Sequence, residues 1–340
     1  MPDQDHLPSP SDNDSRNSKA LSLAEGAILI ALAVICGLIV AYVPLLTLIA
    51  PLFFPLPIAI LYLRQGSKIA ITATVCIFLI LLALAGIATA AYLMLQFGFL
   101  GLFFGFCFQR RTRPLFTLTV ATIIAGVGMM LSILLALRIS GLPFDYLQTF
   151  IKEFAGGFTQ AIVDQGAESV FFGTMTAAQY TVYLEDLFLR FIPSFLIITA
   201  MITGLICYLF CSAIMRRLHY DIRPLPSFRN WRIDWRLMWG IVVALLIAGI
   251  GGFLDSQLLR DIGNNVLIVF CPILIICGLS FCWWLLKSFK APLWIIIILV
   301  FFCIQFTGTL IFILLVGALD AVFNFRMRIT NFRDKISKGE

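Results

Sequence analysis

Long apolar stretches, separated by short polar or basic turns, follow one another along almost the whole chain. They cover residues 21–43, 45–63, 69–88, 91–108, 115–138, 190–215, 237–254, 263–286 and 292–323. A helix of about 20 apolar residues crosses the roughly 30 Å of hydrocarbon in a bilayer. The apolar residues run on without alternating with polar ones, which disfavours the strands of a membrane β-barrel. We therefore predict an all-α, polytopic transmembrane helical bundle of about 8–10 spans.

The final apolar stretch, residues 292–323, is too long for one upright helix. At 1.5 Å per residue it would extend over about 48 Å. Two readings remain open: a strongly tilted helix with an interfacial end, or a hairpin bent near residues 305–308.

Lysine and arginine are concentrated on one side of the predicted membrane. Of the 24 basic residues, 20 lie in the two tails or in every second loop, and the loop at 216–236 is the richest in arginine. Basic loops remain cytoplasmic during insertion. We therefore expect a multi-pass protein of a bacterial cytoplasmic membrane with a cytoplasmic N-terminus. A basic C-terminus on the same side requires an even number of crossings, which favours the hairpin at 292–323.

Polar segments divide the chain into five parts. We predict a disordered cytoplasmic tail at 1–20, a first transmembrane bundle at 21–139, an outer amphipathic segment at 140–189, a second transmembrane bundle at 190–325 and a basic cytoplasmic tail at 326–340. The first part is hydrophilic and rich in Pro, Ser, Asp and Asn, as disordered segments are. It lacks the basic patch and short apolar core of a signal peptide.

The outer segment, 140–189, carries helical patterns of its own. Its apolar residues recur at helical spacing, at Leu147, Phe150, Ile151, Phe154, Phe158 and Ile162. This spacing predicts an extracytoplasmic amphipathic helix at the membrane surface. Thr176 and Gln179 fit a capping box, so a second helix should begin there and run into the span that contains Pro193. The pattern is compatible with a helix that only covers the protein surface and with a lid over a ligand cavity.

Composition agrees with a membrane protein and offers little for catalysis. The chain is 61% hydrophobic and 12% charged, whereas soluble domains are roughly 25% charged. The nine cysteines all fall in apolar stretches, and the two histidines are His6 and His219. We therefore expect no metal site, no cofactor and no contact with nucleic acid. Motifs for binding ATP phosphates or for a hydrolytic nucleophile are also absent, so we expect a protein that is not an enzyme.

Three sets of residues are candidates for function. Pro51, Pro55 and Pro57 interrupt the second span, as in the broken helices that line transport sites. Ala27 and Ala31 form a small-residue face on the first span that could contact a partner helix. The candidate ligand-binding residues are the charges at the predicted outer ends of spans: Arg138, Glu185, Asp186 and Arg190. Packing within the bundle and snorkelling to headgroups are the structural alternatives for these sets.

An ordered series of short motifs resembles the YybS-like family of uncharacterised bacterial membrane proteins. The motifs are Glu25-Gly26-Ala27, Tyr42-Val43-Pro44, Pro55-Leu56-Pro57-Ile58, Leu63-Arg64 with Gly66, Arg110-Arg111, Arg190-Phe191-Ile192-Pro193-Ser194, Trp235, and Gly317-x-x-Asp320 before Phe325-Arg326. The resemblance covers about residues 20–330 and implies no particular activity. The N-terminal half is also similar in style to the substrate-binding subunits of energy-coupling-factor transporters. Those subunits dock a transmembrane coupling protein through an A-x-x-x-A face, a form that Ala27 and Ala31 match.

Two functions remain open from sequence. One is a small-molecule, vitamin-like transport subunit that binds its ligand from the outer side and depends on a coupling protein with ABC-type ATPases. The other is a membrane scaffold for cell-envelope or cell-shape assembly, which would bind envelope-assembly proteins through small-residue faces and basic loops. Both would work within the lipid bilayer.

The predicted orientation can be tested with reporter fusions. Alkaline phosphatase fused within 140–189 should be active, because that segment is predicted to lie outside, and fusions within 216–236 should be inactive. Green fluorescent protein fused at the same two places should give the opposite pattern and serves as the control. A phosphatase-active fusion at 216–236 would reverse the orientation.

Overall fold

The computed structural model describes residues 10–143, 145–288, 294 and 307–329, and every regular element in these ranges is helical. The helices are α1 (Pro10–Tyr42), α2 (Ala50–Phe53), α3 (Pro55–Gln65), α4 (Ser67–Leu93), α5 (Phe99–Gln109), α6 (Pro114–Ile139), α7 (Tyr146–Asp164), α8 (Glu168–Phe171), α9 (Ala177–Arg217), α10 (Trp235–Phe253), α11 (Gln257–Ser288) and α12 (Thr307–Phe323).

The predicted all-α transmembrane bundle is confirmed. Within the described ranges, six helices are long and apolar enough to cross a membrane: Ala20–Tyr42, Ser67–Gln109, Pro114–Ile139, Ala177–Arg217, Trp235–Phe253 and Gln257–Ser288. Two shorter apolar helices, Ala50–Gln65 and Gly308–Phe323, accompany them. Such helices imply contact with the lipid bilayer. The choice between a tilted helix and a hairpin at 292–323 depends on residues outside the described ranges.

The first helix begins earlier than predicted. Residues 10–20, expected to be part of a disordered tail, form the start of α1. Helix propagation accounts for this difference, because each residue added to an existing helix gains one hydrogen bond without a new nucleation cost.

The chain forms two compact units, whose boundaries differ from the predicted domains. The first unit contains Met1–Tyr146 and Thr199–Pro224, and the second contains Leu147–Ile198 and Leu225–Glu340. Helix α9 contributes its second half to the first unit, because Gly204 on that half packs against the backbone of α6 at Ala121 and Thr122. This close approach requires a residue without a side chain.

In the first unit, prolines break the predicted second span into short pieces. A 3₁₀ turn at Pro44–Leu46 is followed by α2 and then by α3. Pro44, Pro51 and Pro55 each stand in the first turn of one of these elements. Proline is tolerated there because the first helical N–H groups have no partner within the helix. Helix α3 is buried from Pro55 to Tyr62 and forms the centre of the unit.

The long apolar helix Ser67–Gln109 is two helices joined at Gly86. The backbone of Gly86 leaves the helical region, with φ of 81° and ψ of 166°. A Cβ atom on Gly37 of α1 would lie 2.6 Å from Leu81 and 3.2 Å from Leu93. Residues twelve positions apart in one straight helix are about 18 Å apart. The chain therefore folds back at Gly86, in agreement with the separate spans predicted at 69–88 and 91–108.

Glycines set the closest helix contacts in the first unit. A Cβ atom on Gly101 would lie 2.8 Å from Ile58 Cβ, and one on Gly105 would overlap Tyr62 Cβ. The G-x-x-x-G face of α5 is therefore used for packing on α3 and is not free for a partner.

The helices of the second unit also meet at small residues. A Cβ atom on Gly263 of α11 would lie 2.7 Å from Ala248 Cβ and 2.7 Å from Ala244 O on α10. Gly278 and Gly317 face each other where α11 crosses α12, with backbone atoms in direct contact. The small-residue face of α10 is therefore internal.

Helix α7 lies where the outer amphipathic segment was predicted, and its packing face shares Ile151 and Ile162 with the predicted apolar face. Its buried residues are Ile151, Ala155, Thr159 and Ile162. The phenylalanines at 150, 154 and 158 are exposed. Small Ala155 and Thr159 allow close contact with α9, where the hydroxyl of Thr181 lies 3.0 Å from that of Thr159. The predicted capping box is confirmed at the start of α9, where Thr176 N donates to Gln179 Oε1 at 2.9 Å.

A buried ion pair connects the loop residues 228–231 to the helices of the second unit. Asp320 is 5% exposed and Arg326 is 9% exposed, and Arg326 Nε donates to Asp320 Oδ2 at 2.9 Å. The same guanidinium donates to Ser280 Oγ and to three backbone carbonyl oxygens, those of Arg229, Trp231 and Cys277.

Ser280 extends this network. Its hydroxyl oxygen lies 2.6 Å from the carbonyl oxygen of Phe228 and 2.8 Å from that of Trp231. A buried charge is tolerated when it is paired and its remaining donors are satisfied. The network joins the loop carbonyls to α11, α12 and the helical residues that follow Asn324. It therefore anchors the backbone of the arginine-rich loop at Phe228, Arg229 and Trp231.

Glycine packing predicts a stability difference between two alanine substitutions. Gly105→Ala should destabilise the protein by about 1–3 kcal/mol, because the new methyl group overlaps Tyr62 and forces α3 and α5 apart. Gly249→Ala on α10 is the control, since open space surrounds Gly249. It should leave the thermal midpoint in detergent unchanged or slightly higher. An equal decrease of the thermal midpoint in both variants would contradict this packing.

The buried ion pair predicts a second stability difference. Arg326→Gln should destabilise the protein by about 3–5 kcal/mol, because Asp320 would remain buried and charged without its partner. The double variant Asp320→Leu with Arg326→Met should be destabilised less than Arg326→Gln. Asp221→Asn, which breaks the exposed pair between Asp221 and Arg111, should leave the thermal midpoint almost unchanged. A midpoint insensitive to Arg326→Gln would show that the pair contributes nothing.

Candidate functional site

A cavity of about 580 Å³ lies in the first unit and opens at its surface, where the lining residues Leu48 and Ile139 are exposed. Its wall comes from the proline-broken segment, the second half of α4, α6 and the second half of α9. Most lining residues are apolar, and none is charged. The polar lining residues are Thr47, Tyr92, Gln96, Ser132, Thr199 and Thr203. A mostly apolar cavity of this size with a few polar groups is typical of a small-molecule site.

The backbone around Gln96 departs from a regular α-helix. Residues Met94–Gly98 form a π-helical turn between α4 and α5. Gly128 of α6 packs directly against this turn, with Leu95 O and Gln96 Cα so close that no Cβ atom would fit. The π turn is therefore fixed from behind by α6. Single π turns occur frequently at functional sites.

Gln96 is the most unusual polar residue of the cavity. It is 5% exposed, and its carboxamide makes no hydrogen bond to any residue that the structure describes. Most buried side-chain polar groups in proteins have a partner, so an unpaired one needs an explanation. Because Gln96 lines the cavity, its amide is available to a molecule bound there.

Aromatic residues form one wall beside Gln96. The rings of Tyr92 and Phe97 meet edge to face, with their centroids 5.8 Å apart. Met129 of α6 lines the cavity as well. Ser132 is different from Gln96, because its hydroxyl already donates to Gly128 O at 2.7 Å.

The cavity lies towards one end of the first unit. The lining residues of α6 run from Met129 to Ile139, in the last part of that helix. Thr47 and Ala88 line it from the turns that follow α1 and Gly86. The opposite end of α6 begins directly after the arginines at 110, 111 and 113. The cavity is therefore remote from the arginine-rich end of the unit.

A second polar site lies between α9 and α11 in the second unit. Pro193 has no N–H and disturbs the hydrogen bonds of α9 around it. The side chain of Asn265 replaces the hydrogen bond that would join Ser194 to Arg190. Its Oδ1 accepts from Ser194 N at 3.1 Å, and its Nδ2 donates to Arg190 O at 2.9 Å. Asn265 therefore satisfies both backbone groups that the irregular helix leaves open.

The side chain of Arg190 lies beside this repaired helix and has several internal partners. Its guanidinium pairs with Asp186 at 2.7 Å and lies 3.7 Å from Asp261. With the amide of Gln257 turned so that its oxygen faces Arg190, that oxygen accepts from both terminal nitrogens. The charge of Arg190 is thus balanced within the second unit.

The residues predicted from sequence fall in different places. Pro51 lines the cavity, whereas Pro55 and Pro57 are buried in α3 outside its wall. Asp186 and Arg190 form an ion pair with each other. Glu185 is half-buried near them, and Arg138 is exposed on α6 in the other unit. Their roles in ligand binding stay predictions.

Ala27 and Ala31 are both exposed on α1. Ala33 and Gly37, on another face of the same helix, are buried. The structure thus separates an internal small-residue face of α1 from an open one.

Sequence reasoning gave no role to Gln96, Tyr92 or Thr203. A polar residue within an apolar span is a signal of function in itself, and Gln96 has that signal. The contacts that bring it to Tyr92 and Thr203 depend on the π turn and on α9, which local patterns do not reveal.

The family described as "Predicted membrane protein (DUF2232)" matches residues 31–321. The matched range includes every residue that lines the cavity, together with Asn265 and Asp320. No curated protein and no solved structure matches the chain. The chain belongs to the DUF2232 family of predicted membrane proteins.

Proposed function

We propose that the protein is a small-molecule transport subunit of a bacterial cytoplasmic membrane, and that it binds a vitamin-like ligand from the outer side without catalysing a reaction. The observation that carries this proposal is the cavity of about 580 Å³ with the unpaired carboxamide of Gln96 in its wall. A protein that only holds other proteins together needs no such space.

Irregular backbone around the cavity supports a binding role. The proline-broken segment, the turn after Gly86 and the π turn at Met94–Gly98 all contribute lining residues. Non-helical backbone at membrane depth is tolerated where it is packed in protein or lines a cavity. Transport proteins build their substrate sites from such interrupted helices.

The charge distribution supports binding from the outside. The cavity lies at the end of the first unit away from the arginines at 110, 111 and 113. Because arginine-rich loops are expected on the cytoplasmic side, the cavity would open towards the outer side. The orientation itself is part of the proposal.

Energy for transport would come from separate subunits. The chain has no phosphate-binding loop with which to hold ATP. Ala27 and Ala31 form an exposed A-x-x-x-A face on α1, whereas the glycine faces of α5 and α11 are used inside the protein. This face resembles the one that energy-coupling-factor substrate-binding subunits use to dock their coupling protein.

The proposal predicts which proteins accompany the tagged protein from the membrane. Purification in a gentle detergent, followed by mass spectrometry, should recover a transmembrane coupling protein and paired ABC-type ATPases. Ala27→Leu with Ala31→Leu should reduce that recovery at least about tenfold, because large side chains prevent close helix approach. Ala83→Leu is the control, since Ala83 is an exposed alanine of another span, α4.

Two results would contradict this docking proposal. Recovery of the ATPases that is equal in the double variant and in the control would remove the role of Ala27 and Ala31. Recovery of cell-wall or division proteins without any ATPase would instead favour the alternative function, a scaffold for envelope assembly.

A further inference from the structure

The chemistry of the cavity wall identifies a class of ligand. Building on the proposed transport function, we infer that the ligand is an uncharged molecule with a large apolar body and one end that both donates and accepts hydrogen bonds. Gln96 is the residue that recognises this end. The ligand can be a lipid-like molecule from the bilayer or a water-borne molecule, because both sources provide this chemistry.

The wall excludes a charged ligand. All 17 lining residues are uncharged. A charge that leaves water for an apolar space is strongly disfavoured unless a partner of opposite sign or several hydrogen bonds replace the water. Arg138, on the last turn of α6, is exposed and is not among the lining residues. The cavity therefore has no group that would compensate an ionised ligand.

Gln96 requires a ligand end with both a donor and an acceptor. A carboxamide offers two N–H donors and one carbonyl acceptor, and no described residue bonds to either group of Gln96. A purely apolar ligand would displace water and leave both groups unsatisfied. A ligand end such as an amide, a lactam or a hydroxyl group satisfies them.

The surroundings of Gln96 fix this recognition in space. The π turn that carries it lies against Gly128, so the backbone cannot retreat from the cavity. The edge-to-face pair of Tyr92 and Phe97 offers an apolar surface beside the amide. A polar group next to an apolar wall is the arrangement that orients small ligands in their sites.

Photolabelling with matched probes tests the inference. Three probes share one aryl-diazirine body and end in a primary carboxamide, a carboxylate or a trimethylammonium group. Each is irradiated with the purified full-length protein in lipid nanodiscs, and labelled peptides are mapped by mass spectrometry. The carboxamide probe should label residues 88–97 and 129–139 roughly tenfold more than either charged probe, because the wall lacks compensating charges.

Gln96→Leu tests the assigned residue. It should lower labelling by the carboxamide probe roughly three- to tenfold, the loss expected for removed hydrogen bonds. Its thermal midpoint should stay close to that of the unchanged protein, because the substitution breaks no hydrogen bond to a described residue, and this measurement shows that the variant is folded. Thr74→Val is the control, because Thr74 is a buried polar residue outside the cavity. Labelling of this control should be unchanged.

The outcomes separate the inference from the proposed function. If none of the probes labels 88–97 or 129–139, the cavity binds no small molecule and both proposals fail. If the charged probes label as strongly as the carboxamide probe, or Gln96→Leu has no effect, the inference fails and the binding function stands.

A competition arm identifies the source of the natural ligand. A total lipid extract of the producing membrane and an aqueous extract of the growth medium are each added before irradiation. If the lipid extract displaces the carboxamide probe, the ligand comes from the bilayer. If the aqueous extract displaces the probe, the ligand comes from outside the cell. Either result supports the inference, whereas displacement by neither counts against it.

Discussion

The constraint on which this structure depends is that backbone N–H and C=O groups in the hydrocarbon must find partners within the protein. The long helices meet it by themselves. Each interruption needs a separate solution. Prolines stand at first-turn positions in the broken second span, where no hydrogen bond is lost. At Pro193 the side chain of Asn265, which is 71 residues from Ser194 in the chain, supplies the missing donor and acceptor. At Pro193, the irregular backbone is thus compensated by a distant part of the protein.

The same constraint explains the importance of small residues at helix contacts. Lipid tails are as apolar as leucine side chains, so close packing, rather than exclusion of water, holds the helices together. Gly101 brings α5 onto α3, and Gly278 and Gly317 bring the backbones of α11 and α12 into contact. Where the contact surface is interrupted, around the π turn and the broken span, space remains. The cavity is therefore a direct consequence of the irregular segments that surround it.

Local sequence patterns predicted much of the fold and little of the site. The apolar stretches gave the long helices, and the spacing of Thr176 and Gln179 gave the start of α9, because each of these signals lies within a few residues. The prolines pointed to an interrupted second span. The contact of Asn265 with the backbone around Pro193, the hydrogen bonds from Arg326 to the loop carbonyls, and the approach of Gly128 to Gln96 all join distant segments. A single sequence holds no record of which distant residues meet, so these contacts could not be predicted.

Asp320 and Gln96 each have side-chain atoms without a hydrogen-bond partner among the described residues, but their surroundings differ. Asp320 Oδ1 is buried and has no hydrogen-bond partner among the described residues, yet the other oxygen of this carboxylate is paired with Arg326. Its charge is balanced, and the network has a structural effect, the fixing of a loop. Gln96 has no partner for either half of its amide and faces an open cavity. The proposed ligand would supply the hydrogen bonds that this amide does not make with any described residue.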